Sequence, residues 1–436
     1  MTNTKAASVN GYSAGHATKE AIKLSAKSQQ LLEKIKGPLY SESVEAKVWG
    51  IAAKAFDSPT PPTHTPQRCT QQYQYEPCND WTSGFFPGCV YALAERSFKY
   101  KEHISDKVHP LRWQFAARWW ASNIQSQSDR TDTHDLGFLI QPAFRREYEV
   151  FGSKYAHDTV VEAAYSLATR FNEKVGAIKS WDRTVNNRYD LGDDNGDCLV
   201  IIDNMMNIDM LYWAAAQTGD LRLSSIATTH AEKTLRDVIR HPVWSTYHVI
   251  QYDRETGEVR QRLTNQGYND ESCWSRGQAW AIHGFVDTYR WTKDVKFLDA
   301  SINLADYFMD KVSEEQNGVP GWDFDAPDHD AVKDVSAAMT AAEGMIKIYN
   351  YTHNEKYLQY GLQLLDSCIE HCWGGDATFA ADGTVSFAGA TESILTHSTQ
   401  NHYQFAPYDY YNHGLVYADY YFLEIGNLLL DMGLIV

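Results

Sequence analysis

The sequence predicts an all-α fold, a toroid of six helical hairpins, on three observations. A unit of two helices joined by a short polar turn recurs, with first helices opening near Trp81, Asp135, Asp203, Trp274, Asp334 and Tyr411. In each unit the first helix is apolar nearly all round and the second amphipathic, as expected for an inner ring wrapped by an outer one. The long polar connections, such as DLGDDNGDC (190–198) and GVPGWDFDAP (318–327), fall just before inner helices begin, which gathers them at one mouth. An open solenoid would share the period. Against it stand the first residues of the units, which differ from copy to copy as the walls of one shared site would.

The elements can be followed along the chain. A polar lead-in of about 20 residues, MTNTKAASVNGYSAGHATKE, lacks the apolar core of a secretory signal, so the chain reads as cytoplasmic. The first hairpin opens at DWTSGFFPG (80–88) and the second at THDLGF (133–138). The third is the clearest: IDNMMNIDMLYWAAAQ, the turn TGD, then LRLSSIATTHAEKTLRDVI. The fourth runs from Trp274, the fifth from Asp334, and the sixth starts near Tyr411 and ends with the chain. Residues 1–436 are thus expected to form a single catalytic domain.

Composition narrows the function. A net charge of -17 and the lack of a Lys/Arg-rich stripe argue against nucleic acid, and no run approaches the roughly 20 apolar residues of a membrane span. With 13 Trp, 27 Tyr and 17 Phe, the chain has aromatics beyond the needs of packing, and sugar-stacking surfaces are one use for them. Seven cysteines at irregular spacings suit buried thiols, although Cys69 and Cys78 could pair. Cys368 and Cys372 lack a matching second His/Cys pair, so no metal is expected, and no cofactor.

Asp135 and Asp203 each stand where a polar loop enters an apolar inner helix. Each could be an N-cap. If the hairpins close, both carboxyls instead enter one cavity from adjacent units, the usual equipment of glycoside hydrolysis. Burial and like charge would then raise the pKa of one of them. The block TNQGYNDESCWSRGQAW (264–280) is the densest polar-aromatic stretch. Within it Gln266, Arg276 and Gln278 could bind carboxylate or hydroxyls, and Trp274 and Trp280 could stack on a sugar; the alternative is an internal ion pair for Arg276 and core positions for the tryptophans. Trp81, His134, Trp181 and His248 are further candidates for the pocket wall.

With THDLGF, IIDNMMN and WSRGQAW in that order, the chain resembles the unsaturated glucuronyl hydrolase family from about Trp81 to YADYYFLE (417–424). The resemblance implies an (α/α)6 barrel and a substrate left by polysaccharide lyases, whose terminal uronate carries a double bond between its fourth and fifth carbons. It implies hydration of that double bond, with Asp203 protonating the fourth carbon and activating water, and Asp135 holding ring hydroxyls. His134, Trp81, Trp181, His248, Gln266, Arg276 and Trp280 match pocket positions. A sister family acting on unsaturated rhamnogalacturonyl fragments reads closer to RGNGW where Arg276 is followed here by GQAW. The stretch THSTQNHYQFAPYDYY (396–411) departs from the family's short approach to the last helix and leaves the adjoining sugar open. An inverting glycosidase on saturated substrates and a non-catalytic carbohydrate-binding toroid are the remaining alternatives.

Overall fold

A computed structural model describes residues 23–436; the polar lead-in lies outside the described residues. Helices dominate. α1 (Ala26–Leu39) and α2 (Glu42–Ala52) precede α3 (Phe85–Lys99) and α4 (Pro110–Ala121). α5 (Leu136–Ile140) passes through a π turn (Gln141–Arg145) into α6 (Arg146–Phe151), and α7 (Lys154–Ala168) returns. The π turn contains Pro142, which has no N–H to continue an α-helical ladder. α8 (Asn204–Asn207) and α9 (Asp209–Thr218) lead to α10 (Leu221–Asp237). α11 (Ser275–Thr292) with α12 (Val295–Val312) and α13 (Val335–Thr352) with α14 (Glu355–Cys372) are two long hairpins, and α15 (Val416–Asp431) is the last helix.

The apolar helices of the hairpins pack on one another in sequence order. α3 meets the α5 segment, α5 meets α8, α8 meets α11, α11 meets α13, α13 meets α15, and α15 packs back on α3. The amphipathic partners α4, α7, α10, α12 and α14 lie outside them. One core cluster runs through all of these interfaces, from Leu32 to Ile435.

Two expectations need correction. The fold is not purely helical: the described residues include two three-stranded and four two-stranded sheets, all small. The strand Asp197–Ile201 pairs with Val249–Asp253, which pairs in turn with Val259–Leu263; His64–Cys69 pairs with Tyr73–Pro77 and with Gly414–Leu415. These ribbons sit in the connections read as loops. The sixth hairpin is also not contiguous, since among the described residues no helix follows α15. α1 from the start of the chain takes the outer place, packing on α14 and α15 with Leu32, Ile35 and Leu39 buried. All seven cysteines are buried free thiols, so Cys69 and Cys78 do not pair. No helix among the described residues is long and apolar enough to cross a membrane.

The inner helix starts converge because small residues stand at their contacts. A Cβ on Gly137 would lie 2.6 Å from Asn207 Oδ1 and 2.7 Å from Asn207 Cα, so only glycine lets α5 approach α8 this closely. Asn207 then ties the two segments together. Its Oδ1 accepts the Phe138 N–H (3.2 Å), and its Nδ2 donates to the Asp203 carbonyl (3.2 Å). Gly137→Ala is expected to force these helices apart, at a cost of about 1–3 kcal/mol. A thermal melt measures it; an unchanged Tm would mean that the α5–α8 contact is not tight.

Candidate active site

Capping is not what Asp135 and Asp203 do. All six outer helices α1, α4, α7, α10, α12 and α14 are capped by a side chain of the preceding residue, respectively Ser25, His109, Ser153, Asp220, Asp294 and Asn354. Asp135 and Asp203 occupy the same position before α5 and α8, yet neither makes a side-chain cap. The amides near these helix starts find other acceptors: Phe138 N–H uses Asn207, Met205 N–H uses the Ile202 carbonyl, and Met206 N–H uses the Asp203 carbonyl. Both carboxyls are therefore released from the helix ends.

Asp203 is buried, and its Oδ2 has no hydrogen-bond partner. Burial first, and then the negative charge of Asp135, push its pKa up to about 7, against opposing pulls from Arg276 and the Trp280 indole. The His248 Nε2 lies 3.9 Å from Asp203 Oδ2. Burial, with Arg276 as a second cause, holds this imidazole neutral, its pKa pushed down to about 3. Because His248 Nδ1 accepts the Asn265 N–H (3.1 Å), the ring proton sits on Nε2, on the side of Asp203.

Asp135 is partly exposed. Its Oδ2 accepts the Thr133 hydroxyl (2.8 Å), and its Oδ1 lies 3.2 Å from His134 Nε2. His134 is wholly buried and its pKa is lowered by that burial, so it too is neutral; its peptide N–H donates to the Ser180 carbonyl (3.0 Å). Trp81 and Trp181 are half-buried and line, with Asp80, Asp135 and Arg183, a cleft of about 440 Å³. Trp81 is propped from behind by Tyr417 and Phe138, with ring centroids 5.2 and 5.5 Å away, while Trp181 stands edge-on to His134. These two rings keep the exposure that stacking on a sugar requires.

The 264–280 block is placed differently from its sequence reading. Arg276 is not a free anion seat. Its Nη1 donates to Asp334 Oδ2 (2.5 Å) and the Thr399 carbonyl, and its Nη2 to Gln266 Oε1 (3.0 Å) and the Gln400 carbonyl (2.7 Å). Both members of the Arg276–Asp334 pair are buried, so the alternative of an internal ion pair holds. Trp274 and Trp280 are buried too and offer no free face: Trp274 is covered by His248 and Arg276, and Trp280 packs on Phe138 and Tyr421. Gln278 points outward, donating to the carbonyls of Trp244 and Leu304. Gln266 stays half-buried beside Arg276.

Two residues that the sequence reading passed over join the site. Tyr417 is buried with an unpartnered hydroxyl and interacts electrostatically with Arg276 and Asp203. It is the second residue of α15, as Arg276 is of α11, so aligning the helix starts would have found it. Asp80 precedes Trp81 and has its pKa raised, chiefly by burial, with the charges of Glu76 and Asp135 adding to the effect. Trp280 Nε1, Asp203 Oδ2, His248 Nε2 and the Tyr417 hydroxyl are all buried without partners, and unsatisfied polar atoms concentrated like this mark a place prepared for a polar ligand.

No family model matches the chain. An unsaturated glucuronyl hydrolase of Formosa agariphila is 35% identical to it over 350 residues, 80% of this chain and 79% of that protein. The chain belongs to the unsaturated glucuronyl hydrolase family. It is therefore a glycoside hydrolase. An unsaturated chondroitin disaccharide hydrolase of Streptococcus agalactiae is 29% identical over 367 residues, covering 83% of this chain and 84% of that one. The crystal structure of an unsaturated glucuronyl hydrolase specific for heparin matches with a TM-score of 0.76 over 93% of this chain and 99% of that one, at 29% identity.

Arg276→Ala is expected to strand the buried Asp334 carboxylate and cost about 3–5 kcal/mol of stability, read as a large fall in Tm. A retained Tm with a selective loss of kcat/KM on an anionic substrate would instead make this guanidinium a substrate reader.

Proposed function

We propose that the chain folds as one catalytic (α/α)6 barrel that removes a 4,5-unsaturated uronic acid from the non-reducing end of lyase-made oligosaccharides, with Asp203 as general acid and base. The observation that carries this reading is the buried Asp203 carboxyl, with no hydrogen-bond partner at Oδ2 and a pKa of about 7, beside the charge of Asp135. The cyclic order of helix contacts and the family membership support the barrel. The relatives' substrates, a chondroitin disaccharide and heparin, favour a glycosaminoglycan-type uronate. Seven unpaired thiols suit a reducing, cytoplasmic compartment.

The chemistry follows from the two environments. A carboxyl with its pKa near neutrality is substantially protonated at the start of the cycle and can give that proton to the fourth carbon of the enol ether. Positive charge then grows at the fifth carbon and ring oxygen, where Asp203, now a carboxylate, removes a proton from the attacking water and is restored. The hydroxylated ring is a hemiketal; it opens and releases the partner sugar. Asp135 holds ring hydroxyls and keeps the pKa of Asp203 high. His248 donates from Nε2 to Asp203 or to substrate, and Trp81 and Trp181 stack on the sugar.

Asp203→Asn is expected to lower kcat by roughly 10²- to 10⁴-fold with the fold intact, since the amide cannot cycle a proton. Loss of the ultraviolet absorbance of the conjugated double bond follows turnover, and a loss in rate below tenfold would assign the proton transfer elsewhere. Asp135→Asn removes a like charge and so lowers the pKa of Asp203. Because the active form is protonated, the alkaline limb of kcat/KM should move to lower pH; an unmoved limb with residual activity would separate the two carboxylates.

A further inference from the structure

The stretch 396–411 forms an aromatic rim rooted in the site. Its root is fixed by Arg276, which donates to the carbonyls of Thr399 and Gln400. Further out it lies against the turn that follows Trp181 and Arg183: Asn187 N–H donates to the Phe405 carbonyl (2.9 Å), and Arg188 Nη1 to the Tyr403 hydroxyl (3.2 Å). Tyr410 is fixed by backbone bonds to Asn401 and by Arg68, whose guanidinium lies 4.0 Å from the ring centroid. Arg68 is itself held by Gln400 and Glu76. Tyr408 stacks on Tyr410, centroids 5.6 Å apart and planes 16° from parallel.

Tyr408 is nonetheless 65% exposed. A tyrosine held by a parallel ring that is braced by an arginine has little orientational freedom left to lose, so a ligand stacking on it meets a prepared surface. The C–H face of a pyranose is the ligand that matches: flat, weakly apolar, and bordered by hydroxyls that stay in water.

We propose that Tyr408 is a stacking platform for a sugar of the substrate beyond the one bonded to the uronate. The occupant is an oligosaccharide and not a protein partner because the rim is continuous with the site at both edges, through Arg276 and through the hairpin whose flank, Trp181 and Arg183, lines the cleft. On this proposal a disaccharide stops short of Tyr408 and only a longer chain reaches it. The enzyme is thereby tuned to remove uronates from tetrasaccharides and longer products as well as from disaccharides. This rests on the reading of the active site given above.

The test uses lyase-made unsaturated disaccharides and tetrasaccharides of hyaluronan, chondroitin and heparin. Tyr408→Ala should raise KM for the tetrasaccharide that the enzyme turns over by about threefold to tenfold, with kcat and the disaccharide kinetics unchanged. Tyr408→Phe should behave as the unmodified enzyme and Tyr408→Leu as the alanine variant, which separates stacking from local unfolding. Equal effects on both lengths, or none on either, overturn the platform. Calorimetric titration of the tetrasaccharides into Asp203→Asn, with and without Tyr408→Ala, tests it independently of turnover. If the unmodified enzyme consumes no unsaturated saccharide, the proposed activity fails, while a tetrasaccharide affinity that depends on Tyr408 would still uphold the platform and one that does not, or no binding at all, would overturn it.

Discussion

The site depends on how closely α5 can approach α8. Gly137 has no Cβ to hold Asn207 off, and Asn207 uses both ends of its amide to join the segment that carries Asp135 to the segment that carries Asp203. Once the segments are joined, acidic side chains from two consecutive hairpins stand close enough for the charge of Asp135 to act on the buried Asp203. Burial disfavours the charged form of Asp203 first, the charge of Asp135 adds to it, and Asp203 yields by holding its proton.

That arrangement works against folding at neutral pH. The folded pKa of Asp203, about 7, stands above the ordinary 3.8. The stability linked to a raised pKa is complete below about pH 4 and is lost as pH rises to 7, because over that range the unfolded carboxyl ionises while the buried one holds its proton. The surroundings are built to bear the load. Arg276 is held between Asp334 and two loop carbonyls, close enough to oppose part of the rise, while His248 and His134 stay neutral and add no competing charge. Strain of this kind, concentrated at one group and absorbed by rigid neighbours, is what acid–base catalysis near pH 7 requires.

Much of this was legible in the sequence. The inner helix starts fall within a few residues of Trp81, Asp135, Asp203, Trp274, Asp334 and Tyr411, because continuous apolar runs after polar loops are a strong signal. The ribbons escaped notice because strands of two to six residues inside polar loops leave too short an alternation to see. α1 escaped because its partner helices lie more than 300 residues away, and pattern reading along the chain looks for the second half of a hairpin next to the first. Arg276 shows the deeper limit. Its residue type and place in WSRGQAW were evident, but whether a guanidinium faces a ligand or a buried carboxylate depends on Asp334, which only the packed structure brings to it.

The seam along α3 and α15 joins segments more than 300 residues apart in the chain. Arg68 pairs in register with Leu415, the Tyr40 hydroxyl donates to the Gly426 carbonyl, and Arg96 Nε donates to Asn427 Oδ1. None of these contacts can exist until residues 415–427 have been synthesised, so a growing chain must hold its apolar helix faces in waiting until then. Closing contacts at such sequence separation are also the slowest to find by diffusion. The nascent chain therefore presents unpaired apolar helix faces until α15 emerges from the ribosome, and chaperone demand should persist until that helix is available.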